Sequence, residues 1–351
     1  MIISPMLTSQ TRQSSIVPAK NHCQRPHLTA ASAWLVGAES LIDRTQPLAI
    51  GYSGGADSTA LLLALAEWHP HIEAWHIDHG WHAASQHHAQ ILAERCHDWQ
   101  IPFRCRTVQC DPGRNREASA RHARMTAFRD LAKQRGIHHI ALAHHRDDQA
   151  ETVLMRLLQG AGVRGCCGIR SEQMLGTLHL LRPLLRQPGS ALRTALKQAC
   201  ILWLEDPSNH DTTLLRNRLR HSLLPAMNSA MNTIPDGSNC HPATELFTRL
   251  SAQAQRLQQH IEALAQTVPI TKQQAGVAVL WQKWRLQSAP IRAAILQSMA
   301  RELLGASVCL GRRHIQAVEA WHQQGGRGGI DLSASRLLHK GSHLLLSKRG
   351  H

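Results

Sequence analysis

Three short strings hold the side chains best suited to chemistry: Ser53-Gly-Gly-Ala-Asp-Ser58, His76-Ile-Asp-His-Gly-Trp-His82 and Ala143-His-His-Arg-Asp-Asp-Gln-Ala-Glu151. In the first, Ser53, Gly54, Gly55, Ala56, Asp57 and Ser58 form a small-residue turn with two hydroxyls and one carboxylate. Gly54 and Gly55 let the main chain approach an anion with no side chain in the way. The amides of such a turn, at a helix start, offer a phosphate-binding site, and Asp57 can hold a magnesium ion against phosphate oxygens. The plainer reading is a helix N-cap, with Ser and Asp on orphan amides. No Gly-Lys-Ser/Thr follows, so a Walker A loop is excluded.

In the third string Asp147 and Glu151 are four apart, and Asp148 and Glu151 three apart. Carboxylates at these spacings share a helix face and repel. They therefore predict a magnesium ion or an ammonium group as counter-charge, against a solvated acidic helix start. Asp78 ends an apolar run and either caps the core or faces a ligand. Arg121 and Arg124 lie at helical spacing after Asn115, as do Arg216, Asn217 and Arg220 further on. Each basic set reads as phosphate contacts to nucleic acid or as a solvated face.

These strings need elements to position them. Apolar runs at Leu48–Tyr52, Ile72–Ile77, Phe103–Val108 and Ile137–Ala143, with a short one near Ile201–Leu204, alternate with helical segments at about 59–68, 83–99, 115–135, 147–159 and 189–199. That alternation predicts an α/β fold, a doubly wound and mainly parallel sheet. Ligands then bind beyond the carboxyl ends of the strands, which gathers the loops at 53–58, 78–82 and 144–148. Gly160-Ala-Gly-Val-Arg-Gly165 fits Gly-x-Gly-x-x-Gly but follows a helix, so a dinucleotide site is rejected. Ala38 to Gln46 suggests a short helix before the first strand.

The 351 residues carry 39 Lys+Arg against 24 Asp+Glu, a net charge of +15 that suits a polyanionic partner. Residues 245–351 hold 14 Lys+Arg and 5 Asp+Glu, so this segment carries +9 of it. The nine cysteines are odd in number and contain no Cys-x-x-Cys, which argues for reduced thiols in a cytoplasmic setting. No apolar run reaches the 18 or so residues of a membrane span. The expected organisation is a disordered extension over 1–38, a catalytic domain over 39–224, a turn-rich linker over 225–244 and a basic, mostly helical domain over 245–351. That last domain should end in short strands around Lys340-Gly341.

The Ser-Gly-Gly-Ala-Asp-Ser turn resembles the loop of the N-type ATP pyrophosphatases (PP-loop superfamily). Taken with His76–His82, Glu117–Arg124, Ala143–Gly168, Arg182-Pro-Leu-Leu185, Asp206-Pro-Ser-Asn209 and Arg216-Asn-Arg-Leu-Arg220, it is similar to the tRNA(Ile)-lysidine synthetases over about residues 50–225. The resemblance implies a cytoplasmic ligase that uses ATP and Mg²⁺. Its partners would be an isoleucine tRNA with a CAU anticodon and free L-lysine, with a homodimer allowed. ATP would adenylate the oxygen on carbon 2 of the wobble cytidine, and the lysine ε-amine would displace AMP. Asp57, Asp147 and Glu151 would then be catalytic, with Asp57 on the metal. Ser53 to Ser58 would bind ATP, Asp78 and Asp148 lysine, and Arg121, Arg124, Arg216, Asn217 and Arg220 the tRNA. The chain departs from that pattern at Trp81, His82 and Met125, where the family usually has Leu, Arg and Tyr. The competing enzyme is a PP-loop tRNA thiolase, for which Cys166 and Cys167 would be the candidate sulfur carriers. A nucleotide fold that binds RNA without catalysis is a further alternative.

Overall fold

The computed structural model describes residues 25–29, 31–36, 40–80, 85–109, 116–205, 211–231, 242–305 and 308–349. In chain order the first part comprises α1 (Ala31–Trp34), β1 (Leu48–Gly51), α2 (Ala56–Trp68), β2 (Ile72–Asp78), α3 (Ser85–Asp98), β3 (Phe103–Thr107), α4 (Arg116–Arg135), β4 (His139–Ala141) and α5 (Arg146–Leu158). There follow α6 (Val163–Cys166), β5 (Glu172–Leu175), β6 (Leu178–Leu181), α7 (Gly189–Gln198), α8 (Leu215–Arg218), a π-helical turn (Leu219–Leu223) and α9 (Leu224–Met231). The second part holds α10 (Pro242–Gln266), β7 (Ile270–Gln273), β8 (Gly276–Leu280), α11 (Trp281–Arg285), α12 (Ala289–Leu304), α13 (Arg312–Gln323), β9 (Gly329–Leu332), β10 (Ser335–Lys340) and β11 (His343–Lys348).

The first sheet runs β3-β2-β1-β4-β6-β5, parallel except for β5, which returns antiparallel on β6. Side chains alternate across it as a pleated strand requires. Leu48 and Ile50 of β1 join the core under α2 and α7, while Ala49 faces the core that Phe128 and Leu131 of α4 complete. Strand order reverses between β1, which pairs with β2 on one side, and β4 on the other. A crevice opens at the carboxyl ends of two such strands, and the loops leaving β1 and β4 carry Ser53–Ser58 and His144–Asp148.

Several expectations are corrected. Residues 201–204 add no strand; instead the Leu204 amide donates to the Gly54 carbonyl at 2.9 Å, so the segment lies along the glycine turn. The sheet is extended by the β5–β6 hairpin, turned at Gly176 with φ +64. A short helix, α1, lies upstream of the one expected over 38–46, of which residues 38 and 39 lie outside the described residues. Residues 25–36 are not an appendage. Leu28, Ala31, Trp34 and Leu35 recur at helical spacing and are buried in the first core, and Arg25 donates to the carbonyls of Ala66 and Trp99. Residues 1–24 of the expected extension lie outside the described residues.

The expected linker begins inside α9, and 232–241 lie outside the described residues. The second part is more β than expected: β7-β8-β11-β10-β9 form an antiparallel sheet with a core around Trp284, Met299 and Leu346. Among the described residues no helix is long and apolar enough to cross a membrane.

Trp34 is 5% exposed. Trp34→Ala is therefore expected to cost about 3–5 kcal/mol of stability. Urea unfolding checks this, and an unchanged curve would return residues 25–36 to the surface.

Candidate active site

The turn after β1 is built from its own hydroxyls. The Ser58 hydroxyl donates to the Gly55 carbonyl (3.0 Å), accepts from the Ser53 amide (3.2 Å) and meets the Ser53 hydroxyl at 3.1 Å. Gly54 has φ +82, and a Cβ there would lie 2.7 Å from Leu92 Cδ2, so both backbone and space demand glycine. Gly55 is the N-cap residue of α2, and no side chain caps that end. The plain capping reading of Ser53, Asp57 and Ser58 therefore fails. The first amides of a buried 13-residue helix are left to an anion, with the positive end of the dipole behind them.

Opposite stands the N-terminus of α5, closed by a reciprocal cap. The Asp147 amide lies 3.2 Å from His145 Nδ1, and Asp148 Oδ2 accepts from the His145 amide (3.0 Å). The His145 ring is 3% exposed and surrounded by acids: Nε2 lies 3.4 Å from Asp57 Oδ2 and 3.5 Å from Asp148 Oδ2, and Nδ1 3.7 Å from Asp147 Oδ2. Burial pushes the imidazole down, but Asp148, Asp57 and Asp147 together outweigh it and raise its pKa to about 9. The ring thus ties the glycine turn to the acidic helix.

The counter-charge to Asp148 and Glu151 is internal, where magnesium or ammonium was expected. Arg216 donates to Glu151 Oε2 (2.7 Å) and Asp148 Oδ1 (2.8 Å); Arg220 donates to Glu151 Oε1 (2.6 Å). Glu151 is 1% exposed. Burial alone would raise the Asp148 pKa, but His145 and Arg216 bring it down to about 2. Arg216 and Arg220 are consequently spent on the acids of α5 rather than held out to RNA phosphates. Asn217, buried, donates to the Asp211 carbonyl at 2.9 Å. The helical spacing that suggested an RNA face instead turns these residues inward. Glu151, walled in by two guanidiniums, has a structural setting rather than that of a proton shuttle.

Asp57 and Asp147 differ from Asp148 and Glu151. Asp57 Oδ1 lies 3.6 Å from Arg193 and Asp147 Oδ2 accepts from the Gly189 amide at 3.1 Å, yet Oδ1 of each is buried with no hydrogen-bond partner. Asp147 Oδ1 without a partner, and Asp57 Oδ1 with only the long ion pair to Arg193, form a place for a cation beside the anion-binding turn. Among the described residues no group of three or more His, Cys, Asp or Glu side chains could hold a metal without help from a ligand's oxygens.

Asp78 stands apart from this cluster. Its carboxylate accepts from the Gly80 amide at 2.8 Å, closing the turn after β2, and its charge acts on His76 and His79. That is the contact the capping alternative expects. Arg124 acts on His79, and Arg121, exposed on α4, acts on His144 and Arg182. Trp81, His82 and Asp206–Asn209 lie outside the described residues. Cys166 and Cys167 are buried, their thiols donating to the carbonyls of Ala161 and Val163, and burial pushes the Cys167 thiol up. Neither has the exposed thiol of a sulfur carrier. Sequence reasoning assigned no role to His145, although its position just before an acidic helix start was a cap signal. Arg193 had no local signal at all.

The second part of the chain reaches this site through Gln149. Its amide donates to Ser251 Oγ of α10 (2.5 Å) and to the Ile169 carbonyl (3.1 Å), and accepts from the Ile169 amide (2.6 Å). Ser251 donates onward to the Cys167 carbonyl at 2.9 Å.

Glu151→Ala is expected to cost about 3–5 kcal/mol, because it strands Arg216 and Arg220 beside Asp148. Asp147→Asn should cost about 1 kcal/mol or less, since it keeps the acceptor for Gly189. Chemical unfolding of the two variants distinguishes the structural carboxylate from the one left open.

Comparison with known proteins agrees with this geometry. The PP-loop domain family matches residues 30–227. The tRNA(Ile)-lysidine synthase of Polaromonas naphthalenivorans (strain CJ2) is 34% identical over 273 residues, covering 75% of this chain and 79% of the relative. That of Pseudomonas fluorescens (strain Pf0-1) is 39% identical over 183 residues, 51% of this chain but only 41% of the relative's length. Among solved structures, a U34-tRNA thiolase from Methanococcus maripaludis with its [4Fe-4S] cluster is similar with a TM-score of 0.51 and 16% identity, over 64% of this chain and 78% of that one. At that identity it supports the fold alone. The uncapped glycine turn, the acidic helix facing it across the sheet's switch point and the two sequence matches place the chain in the PP-loop family and, within it, among the tRNA(Ile)-lysidine synthases.

Proposed function

We propose that this site ligates free L-lysine to carbon 2 of the wobble cytidine in an isoleucine tRNA with a CAU anticodon. The enzyme is an ATP-dependent ligase of the PP-loop family. The cytidine O2 attacks the α-phosphorus of ATP and pyrophosphate leaves. The lysine ε-amine, having lost a proton, then attacks carbon 2 and expels AMP, and the second amine proton is lost as the new C–N bond settles. The observation that carries the reading is the pairing of an uncapped α2 N-terminus with the Oδ1 atoms of Asp57 and Asp147, which are buried without a hydrogen bond.

Each feature fits a role. The amides from Gly54 onward and the exposed Ser53 hydroxyl receive the pyrophosphate as it develops charge. Asp57, nearest the turn, would hold Mg²⁺, which when bound offsets phosphate charge. Asp147 would orient the lysine ammonium and accept its proton. His145 keeps both carboxylates in register, while Asp148 and Glu151 are neutralised by Arg216 and Arg220 and keep α5 in place. The basic second part, residues 245–351, would grip the tRNA.

Mass spectrometry of the tRNA after incubation with ATP and lysine should show one added lysine residue, and sustained pyrophosphate release should require tRNA and lysine together. Asp57→Asn and Asp147→Asn should each lower kcat/KM by roughly 100-fold or more, and EDTA should stop turnover. Release sustained by tRNA alone, or an unmodified product, would defeat the proposal. Transfer of sulfur to the tRNA would favour the thiolase. tRNA binding should weaken by ~10³-fold or more between 50 and 200 mM salt if six or more phosphates are contacted; filter binding reads this directly.

A further inference from the structure

Arg182 opens the Arg182-Pro-Leu-Leu185 run, to which neither motif chemistry nor the proposed reaction gives a task. It follows β6 directly. Leu181 pairs with Ala141 of β4, and the Leu142 amide donates to the Leu181 carbonyl at 2.8 Å. Arg182 therefore lies one step past the ladder, at the carboxyl end of the sheet, beside the strand end that runs into His144 and His145.

The guanidinium is 3% exposed, and among the described residues no carboxylate pairs with it. Nη1 donates to the Arg170 carbonyl (2.8 Å) and Nη2 to Gln173 Oε1 (3.2 Å), but Nε is buried with no acceptor. Its neighbours make the imbalance worse. Burial and then the charge of Arg121 bring the Arg182 pKa down to about 10. His144, on which both arginines act, also has a buried Nδ1 with no partner. Burial holds that imidazole near a pKa of 3, so at neutral pH it is uncharged and Nδ1 is free to carry the proton and donate.

A buried cation without an anion is costly, and orphaned donors add to the cost. Such an arrangement is relieved by an oxyanion. A side-on carboxylate satisfies Nε and one Nη together. Asp148 acts on the same His144 ring with the opposite sign, and its chain neighbour Asp147 has an orphaned oxygen. A ligand that fits both ends is anionic at one, cationic at the other, and has an aliphatic stem between.

We propose that Arg182, with His144 and Arg121, forms the subsite for the α-carboxylate of the free amino acid, so that the enzyme selects a free amino acid over a decarboxylated or amidated amine. This rests on the lysine-ligating reading above. The other source of an oxyanion is a backbone phosphate of the tRNA, and the test separates the two.

Steady-state kinetics with L-lysine, L-lysinamide and 1,5-diaminopentane decide it. The wild-type enzyme should favour L-lysine over both amines by about 10- to 100-fold in kcat/KM, the worth of a charge-assisted hydrogen bond. Arg182→Gln should raise the KM for lysine by a similar factor, leave the KM for lysinamide unchanged and leave the KM for tRNA and its salt dependence as they were. Arg182→Lys should recover part of the lysine preference. Equal use of lysine and 1,5-diaminopentane by the wild-type enzyme would overturn the proposal without any variant, so a folding defect cannot shelter it. A higher tRNA KM with a shallower salt slope and an unchanged lysine KM would assign the subsite to phosphate instead. Failure of the wild-type enzyme to ligate lysine at all would overturn the functional reading and this inference with it.

Discussion

Two carboxylates on one turn of a helix cannot be buried unless cations are buried with them, and the candidate site is arranged around that constraint. Asp148 and Glu151 go into the interior only because Arg216 and Arg220 come from 65 or more residues further along the chain to meet them. This ion cluster fixes the pitch and position of α5. It thereby fixes where Asp147 and His145 stand, since both belong to the cap of the same helix. The pairs are weak evidence for net stability. Their value is positional, because a shifted helix would leave charges unpaired in a low dielectric.

The site inherits its polarity from the topology. The reversal of strand order between β1 and β4 brings two loops to one crevice, one ending in a helix with free amides and one in a helix capped by an imidazole and carboxylates. The first favours anions and the second cations. His145 bridges them through Asp57, so a triphosphate with its magnesium would enter a field already shaped for it. Arg182 extends the same logic: a cation without a carboxylate partner acts on His144, as does Asp148, the neighbour of Asp147 with its open Oδ1.

The second part of the chain is coupled to this machinery through α10. Ser251 and Gln149 join at 2.5 Å, and Gln149 sits between Asp148 and Glu151 in the sequence of α5. Gly168, with φ +63, gives way to the Gln149 amide, which a Cβ would meet at 2.6 Å. Further out, Arg312 donates to the Gly160 carbonyl and Arg164 to Gln297. The glycine run at 160–165, which fails as a dinucleotide motif, thus serves as a joint between the basic second part and the catalytic sheet.

Local sequence determined the alternation of strands and helices, the glycine turn and the acidic helix start, because strand period, helix period and backbone freedom at glycine are properties of a few consecutive residues. It also carried the match to the lysidine synthases, since those strings keep their order and spacing. The tertiary structure alone decided which charges meet. Arg216 and Arg220 read as an RNA face and residues 25–36 as an appendage until partners distant in sequence were brought beside them. Strands β5 and β7 were missed because they are mostly polar and exposed at sheet edges, so they carry no apolar run like those of β1 and β4. Charge compensation and burial are set by what lies across a gap of a few ångströms, and no local pattern of residue types encodes that distance.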